Sequence, residues 1–278
     1  AHETKKNNGL YSLMSSQLNK GYKGLSYEKL KLDLDNKSTM FSSFSGKNAY
    51  GVTMHGQSEY FSDLSTHFFK SLTTPSFQNK FINHEKKLVM RTIEANKADP
   101  TRHCFNEATN LLFKGHPYAL STIGTEKTVK SIKRDELIKI HDRNLKTKEM
   151  LITYCGDLSL DEVKERVDHF FKDLKPRKEK KKAIKKITNI KTMNKHIEFD
   201  REQTQILIAT QTKKLSAKEN IVYKMITTHL SGQSSELFVD VRDRKGLCYV
   251  AQPIHMNALE AGYWGIYMAS GHDKTAEA

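Results

Sequence analysis

Gly9-Leu10-Tyr11-Ser12-Leu13-Met14-Ser15-Ser16-Gln17-Leu18-Asn19-Lys20-Gly21 is the stretch on which the fold turns. Leu10, Leu13, Met14 and Leu18 recur at helical spacing, which makes one face apolar. Asn7-Asn8-Gly9 reads as the helix start and Gly21 as its end. The other face carries Ser12, Ser15 and Ser16. No Gly-x-Ser-x-Gly elbow surrounds them, so they read as a polar helix face and not as hydrolase nucleophiles.

Outward from this helix, a second helix is expected over residues 27–35. A hairpin follows over 38–45 and 49–56, turning at Gly46-Lys47-Asn48. Helical spacing returns at 58–72, 77–97, where Asp99-Pro100 breaks it, and 101–113. Short landmarks come next: His116-Pro117-Tyr118 and Ile123-Gly124-Thr125-Glu126. A helix over 134–145 leads into an expected strand at 149–155, then Gly156-Asp157 and a helix over 160–173. After Pro176 comes a lysine-rich stretch. A second pattern begins near His196, with a strand at 203–211, helices at 218–230 and 235–244, and strands near 248–256 and 261–269. Asp273 to Ala278 reads as the beginning of another helix. This mixture of helices and hairpins is α+β in class.

In this order the segments resemble the pitrilysin/insulinase metallopeptidases, the inverzincins, over nearly the whole chain. The family helix reads Gly-Leu-x-His-x-x-Glu-His. Laid on it, the two metal-binding histidines fall on Ser12 and Ser16, and the general-base glutamate falls on Ser15. Thr92 stands 76 residues beyond Ser16, where the resemblance puts the third ligand, a glutamate. Glu85, seven residues before it, matches the first glutamate of the family's Glu-x6-Glu helix. A catalytic zinc needs His, carboxylate or thiolate donors and a base for its water. Serine and threonine hydroxyls compensate a divalent charge poorly. The resemblance therefore implies no cofactor in this chain.

The resemblance also implies two related αβ domains, one over 1–175 and one over 196–278, joined by a lysine-rich linker at 176–195. Family halves open with two strands before the motif helix, whereas eight residues precede Gly9, and Asp273 to Ala278 reads as a helix start that stops, so both domains are expected to be incomplete. The non-catalytic half of such enzymes contributes an arginine and a tyrosine seven residues apart. Leu237-Phe238-Val239-Asp240-Val241-Arg242-Asp243-Arg244-Lys245-Gly246-Leu247-Cys248-Tyr249 matches that motif through Arg242 and Tyr249. Arg244 would point elsewhere on a helix. The implied function is the non-catalytic half of a two-half zinc peptidase, which shapes the chamber and binds peptide substrate. Zinc is expected in a partner half, in the same polypeptide or on another subunit. The alternative is an inactive homologue acting as a structural subunit, like the non-catalytic subunits of mitochondrial processing peptidase. Two-half bacterial members are often exported, which implies a periplasmic or exported setting.

Composition narrows the remaining classes. Net charge is +14, and residues 177–195 alone carry nine Lys or Arg against one Glu. That stretch lacks interleaved aromatics for base stacking and reads as a solvated linker, not a nucleic-acid surface. No apolar run approaches the ~20 residues of a membrane span. Cys104, Cys155 and Cys248 show no C-x-x-C spacing and read as small buried hydrophobes. Twelve histidines include no His-x-x-x-His, so they supply no replacement metal site.

Overall fold

Helix α1 spans Leu10–Ser15 and starts from Gly9, whose φ of +88° only glycine adopts without strain. It is shorter than its apolar spacing suggests. Beyond Ser15 the chain tightens into successive turns, with Gln17 N–H on the Met14 carbonyl and Leu18 N–H on the Ser15 carbonyl. Ser16 Oγ donates back to the Leu13 carbonyl at 2.9 Å. Such side-chain bonds compete with regular helix. The computed structural model describes residues 3–146, 150–172, 174, 187 and 191–278. Most of the 176–195 linker lies outside the described residues.

By its contacts the chain forms two compact units. One comprises residues 1–91 and 121–183, the other 92–120 and 184–278. The sequence range 1–175 thus includes a segment, 92–120, that packs with the later part of the chain. The reason is its helix α5, Pro100–Leu112, which lies on a strand of that later part.

In the first unit α1 is followed by α2 (Tyr27–Asn36), capped by Ser26 Oγ accepting from Lys29 N–H. Strands β1 (Met40–Ser45) and β2 (Tyr50–His55) pair antiparallel, Ser45 opposite Tyr50. Helix α3 covers Phe61–Thr73, and α4 runs over Asn79–Ala98, leaving the first unit at Arg91. Thr125 caps α6 (Glu126–Ser131), its Oγ1 accepting from Thr128 N–H. Helices α7 (Arg134–Leu145) and α8 (Leu160–Phe171) complete the unit.

The core of this unit is the apolar face of the opening stretch. Leu10, Leu13, Met14 and Leu18 pack with Ile82, Ile132, Leu137 and Ile140. Each fully buried leucine contributes about 1.5–3 kcal/mol, so truncating Leu13 would cost about 2–5 kcal/mol through the cavity it leaves.

The expected strand at 149–155 is not formed over the described residues 150–155. A strand needs a neighbour for its backbone groups, and the only sheet of this unit among the described residues is the β1–β2 pair. Leu151 is accordingly 86% exposed, and Cys155 is exposed, not buried.

The second unit holds a three-stranded antiparallel sheet in the order β3 (Gln203–Thr212), β5 (Gly262–Gly271), β4 (Cys248–Met256). Helix α5 begins at Pro100, a favourable first helical position, and Asp99 caps it. It lies against β3, with Thr101 Oγ1 hydrogen-bonded to Tyr267 at 3.0 Å. Leu112, Phe113, Tyr118, Ala258, Ala261 and Tyr263 form its core. Helix α9 spans Glu219–His229, and Trp264 Nε1 donates to Thr227 Oγ1 at its inner face. Among the described residues no helix is long and apolar enough to cross a membrane.

Candidate functional site

Three of the four positions where the resemblance expects zinc chemistry lie on or just after α1. Ser15 is 1% exposed, and its hydroxyl donates to the Phe44 carbonyl of β1 at 2.7 Å. The Gly51 carbonyl of β2 lies 3.4 Å away. The position where the resemblance puts the general base is therefore a buried tie between helix and hairpin. Ser16, half-buried, donates to the Leu13 carbonyl and accepts from Gln17 Nε2 at 2.9 Å. Ser12 is half-buried, and Thr92 is exposed on the part of α4 that belongs to the second unit. These donors do not fit zinc. They are neutral hydroxyls, and those of Ser15 and Ser16 are directed at carbonyl oxygens inside the fold. Among the described residues no three His, Cys, Asp or Glu side chains group to hold a metal.

Tyr50 and His141 are shifted by burial. The Tyr50 phenol, whose ring lies 5.4 Å from that of Tyr11, is pushed up to about 12 by burial. Burial holds His141 below the usual histidine range, and its Nε2–H donates to the Leu72 carbonyl at 2.7 Å. Lys37 and then His67 hold the Asp33 carboxyl below its usual value. His67 joins Asp33 to the Tyr22 hydroxyl, 2.5 Å and 3.0 Å away. This chain locks α2 to α3, and the sequence reading missed it because its members are scattered. His116 is buried, and its Nδ1 accepts from Tyr118 N–H at 3.2 Å, a loop-closing contact.

The second unit brings Arg242 and Tyr249 together. Residues Leu237–Arg244 form a π-helical segment, with Lys245 N–H reaching back to the Asp240 carbonyl at 3.1 Å. A π-turn holds an extra residue per turn and recurs at functional sites. Arg242 Cζ lies 4.5 Å from the Phe238 ring centroid and 5.2 Å from that of Tyr249. Tyr249 sits in a β-bulge: Cys248 pairs with Ser270 and Val250 with Ala269, so the residue between has no partner on β5. A bulge re-aims the side chain it carries, and Tyr249 is 70% exposed. Arg244 is ion-paired with Asp240 at 2.7 Å. Phe238 is a ring neighbour of Arg242 that the spacing argument passed over, although it stands four residues before it.

Comparisons with known proteins bear on the family and the fold. The family described as peptidase M16 inactive domain matches residues 131–278. An uncharacterized zinc protease of Rickettsia bellii is 24% identical over 246 residues, 84% of this chain and 58% of that protein. The uncharacterized zinc protease YmxG of Bacillus subtilis is 24% identical over 280 residues, 97% of this chain and 66% of that protein. Among solved structures, a peptidase M16 inactive domain from Pseudomonas fluorescens superposes with a TM-score of 0.86 at 18% identity, over 98% of this chain and 66% of that one. The chain thus spans less than two thirds of each of these relatives. With a family match over more than half its residues and the same α+β fold, the chain belongs to the peptidase M16 family, as its inactive domain.

Proposed function

We propose that this chain is the non-catalytic half of a two-half zinc metallopeptidase. It forms part of the chamber wall and binds extended peptide for a zinc-bearing half, in the same polypeptide or on a partner subunit. The observation that carries this reading is the juxtaposition of Arg242 and Tyr249, 5.2 Å from guanidinium carbon to ring. Peptide hydrolysis develops negative charge on the carbonyl oxygen, and a tyrosine hydroxyl can donate to it. A guanidinium offers a fixed fork of donors to peptide oxygens. The chain itself lacks a base or metal donor at Ser12, Ser15, Ser16 and Thr92, so water activation falls to the other half.

The test is reconstitution. The protein is combined with a zinc-bearing M16 half from the same source, and cleavage of an unstructured fluorogenic peptide is followed with and without chelator. The expected result is chelator-sensitive cleavage only when both halves are present, reduced by Arg242→Ala. Cleavage by the zinc-bearing half that is indifferent to this chain would favour the structural-subunit alternative.

A further inference from the structure

His116 closes its loop with the nitrogen that a proton would take. Gly115, at φ +81°, turns the chain after α5, and His116 caps the 3₁₀ turn Pro117–Ala119. Its Nδ1 accepts from Tyr118 N–H at 3.2 Å. An imidazole nitrogen that accepts carries no proton, so in the neutral ring the proton sits on Nε2. Nε2 is buried and, among the described residues, has no hydrogen-bond partner. His116 as a whole is 5% exposed, its ring edge-on to that of Tyr118 with 4.6 Å between centroids. Tyr118 carries the contact onward. Its hydroxyl oxygen accepts from Glu260 N–H at 3.0 Å, in the turn between β4 and β5. Its side chain belongs to the cluster of Phe113, Ala258 and Ala261. All of these residues lie in the second unit.

A second proton on the imidazole makes both nitrogens donors. Nδ1–H then points at Tyr118 N–H, and Nε2–H still lacks an acceptor. A buried charge in that position costs more than an unpaired neutral group. Among the described residues the titratable groups set against His116 are the Tyr118 phenol on its own loop and Glu260 on the β4–β5 turn. Burial disfavours the charge most, and the Glu260 carboxylate offsets part of that. The ring escapes both conflicts by leaving its place, which uncaps the 3₁₀ turn. We propose that His116 is an acid-operated latch: proton uptake releases residues 116–119 and, through Tyr118, the β4–β5 turn, while the rest of the second unit stays folded. The latch is closed above the ordinary histidine pKa of ~6.5 and opens as pH falls below it, because the released ring binds the proton that the closed site refuses.

Amide hydrogen exchange is followed by mass spectrometry on the whole protein at about pH 7.5 and about pH 5.5, with rates corrected for the intrinsic pH dependence of exchange. Opening of the segments 114–120 and 257–261 increases by up to about tenfold for each pH unit below ~6.5, while β3 and α9 keep their protection. His116→Asn retains a cap acceptor that does not titrate, and it removes the acid response. Imidazole nitrogen chemical shifts of the unsubstituted protein at about pH 8, above the histidine range, read the tautomer directly. A bare Nδ1 and a protonated Nε2 are expected, and the reverse tautomer overturns the latch. Equal protection at both pH values overturns it, as does an acid response that His116→Asn retains. Protection lost evenly over β3 and α9 assigns the response to global unfolding and overturns the local release. If His116→Asn does not fold, the tautomer and the confinement of the acid response to the two segments decide.

Discussion

The Ser15 hydroxyl donates to the Phe44 carbonyl oxygen at 2.7 Å, joining α1 to the β1–β2 hairpin from the position where the resemblance puts the general base. With the side chain 1% exposed, Ser15→Ala removes this bond and costs about 0.5–1.5 kcal/mol. Ser15→Glu is expected to cost more, because a buried carboxylate would face the carbonyl oxygens of Phe44 and Gly51. Urea unfolding midpoints measure both. Wild-type stability in Ser15→Glu would contradict the tie.

Gly9 and Gly124 approach each other too closely for any other residue. A Cβ on Gly124, at φ +87°, would lie 2.6 Å from the Asn8 carbonyl oxygen, whereas one on Gly24, at φ +91°, would meet nothing within 4 Å. Gly24→Ala therefore costs only the left-handed backbone penalty, about 1–2 kcal/mol. Gly124→Ala costs that and the clash. Equal thermal shifts for the two variants would show that the Asn8–Gly124 contact is loose.

Stability should fall on acidification in two stages. Burial holds His141 and His116 below the histidine value, so below pH ~6.5 the unfolded state binds protons that the folded state refuses. Stability thus rises with pH across this window and is lost as pH falls from 7 towards 5. Asp33, held low by Lys37 and His67, contributes stability above its unfolded pKa of ~3.9 that is lost only as pH falls further. Denaturation between pH 3 and 8 reads both limbs. His141→Asn should flatten the upper limb, and an unchanged slope would contradict the assignment.

Tyr249→Phe should leave the fold intact, within about 0.5 kcal/mol, because the side chain is 70% exposed. In the proposed two-half enzyme it should lower kcat with little change in KM. The loss is on the order of 2–4 kcal/mol, as for an oxyanion donor. Arg242→Ala should raise KM. Steady-state kinetics with chemistry limiting turnover is the measurement. Wild-type constants for both variants would argue for a purely structural subunit.

Zinc titration of the purified protein should reveal no stoichiometric site at Ser12, Ser15 and Ser16, given their neutral donors. Calorimetry with a chelator control checks this. One tightly held zinc abolished by Ser12→Ala and Ser16→Ala would contradict the assignment of these positions.

The sequence by itself determined the elements whose spacing is local. Helix α7 falls over residues 134–145 as expected, and the hairpin turns where Gly46-Lys47-Asn48 stands. It also determined the family, through ordered landmarks, and the Arg242–Tyr249 spacing. Helical period, caps and turns depend on residues within a few positions of one another, so they are written in the chain. Tertiary structure alone decided the rest. Residues 150–155 carry a strand-like pattern, yet over the described residues no neighbouring strand takes their backbone groups. Ser15 reads as a polar helix face until Phe44, distant in sequence, supplies the carbonyl that buries it. Seven residues of spacing do not reveal that a π-turn and a β-bulge carry Arg242 and Tyr249 to within 5.2 Å. The missing strand, the Ser15 tie and the bulge at Tyr249 depend on partners far along the chain, and those partners exist only once the fold has brought them into register.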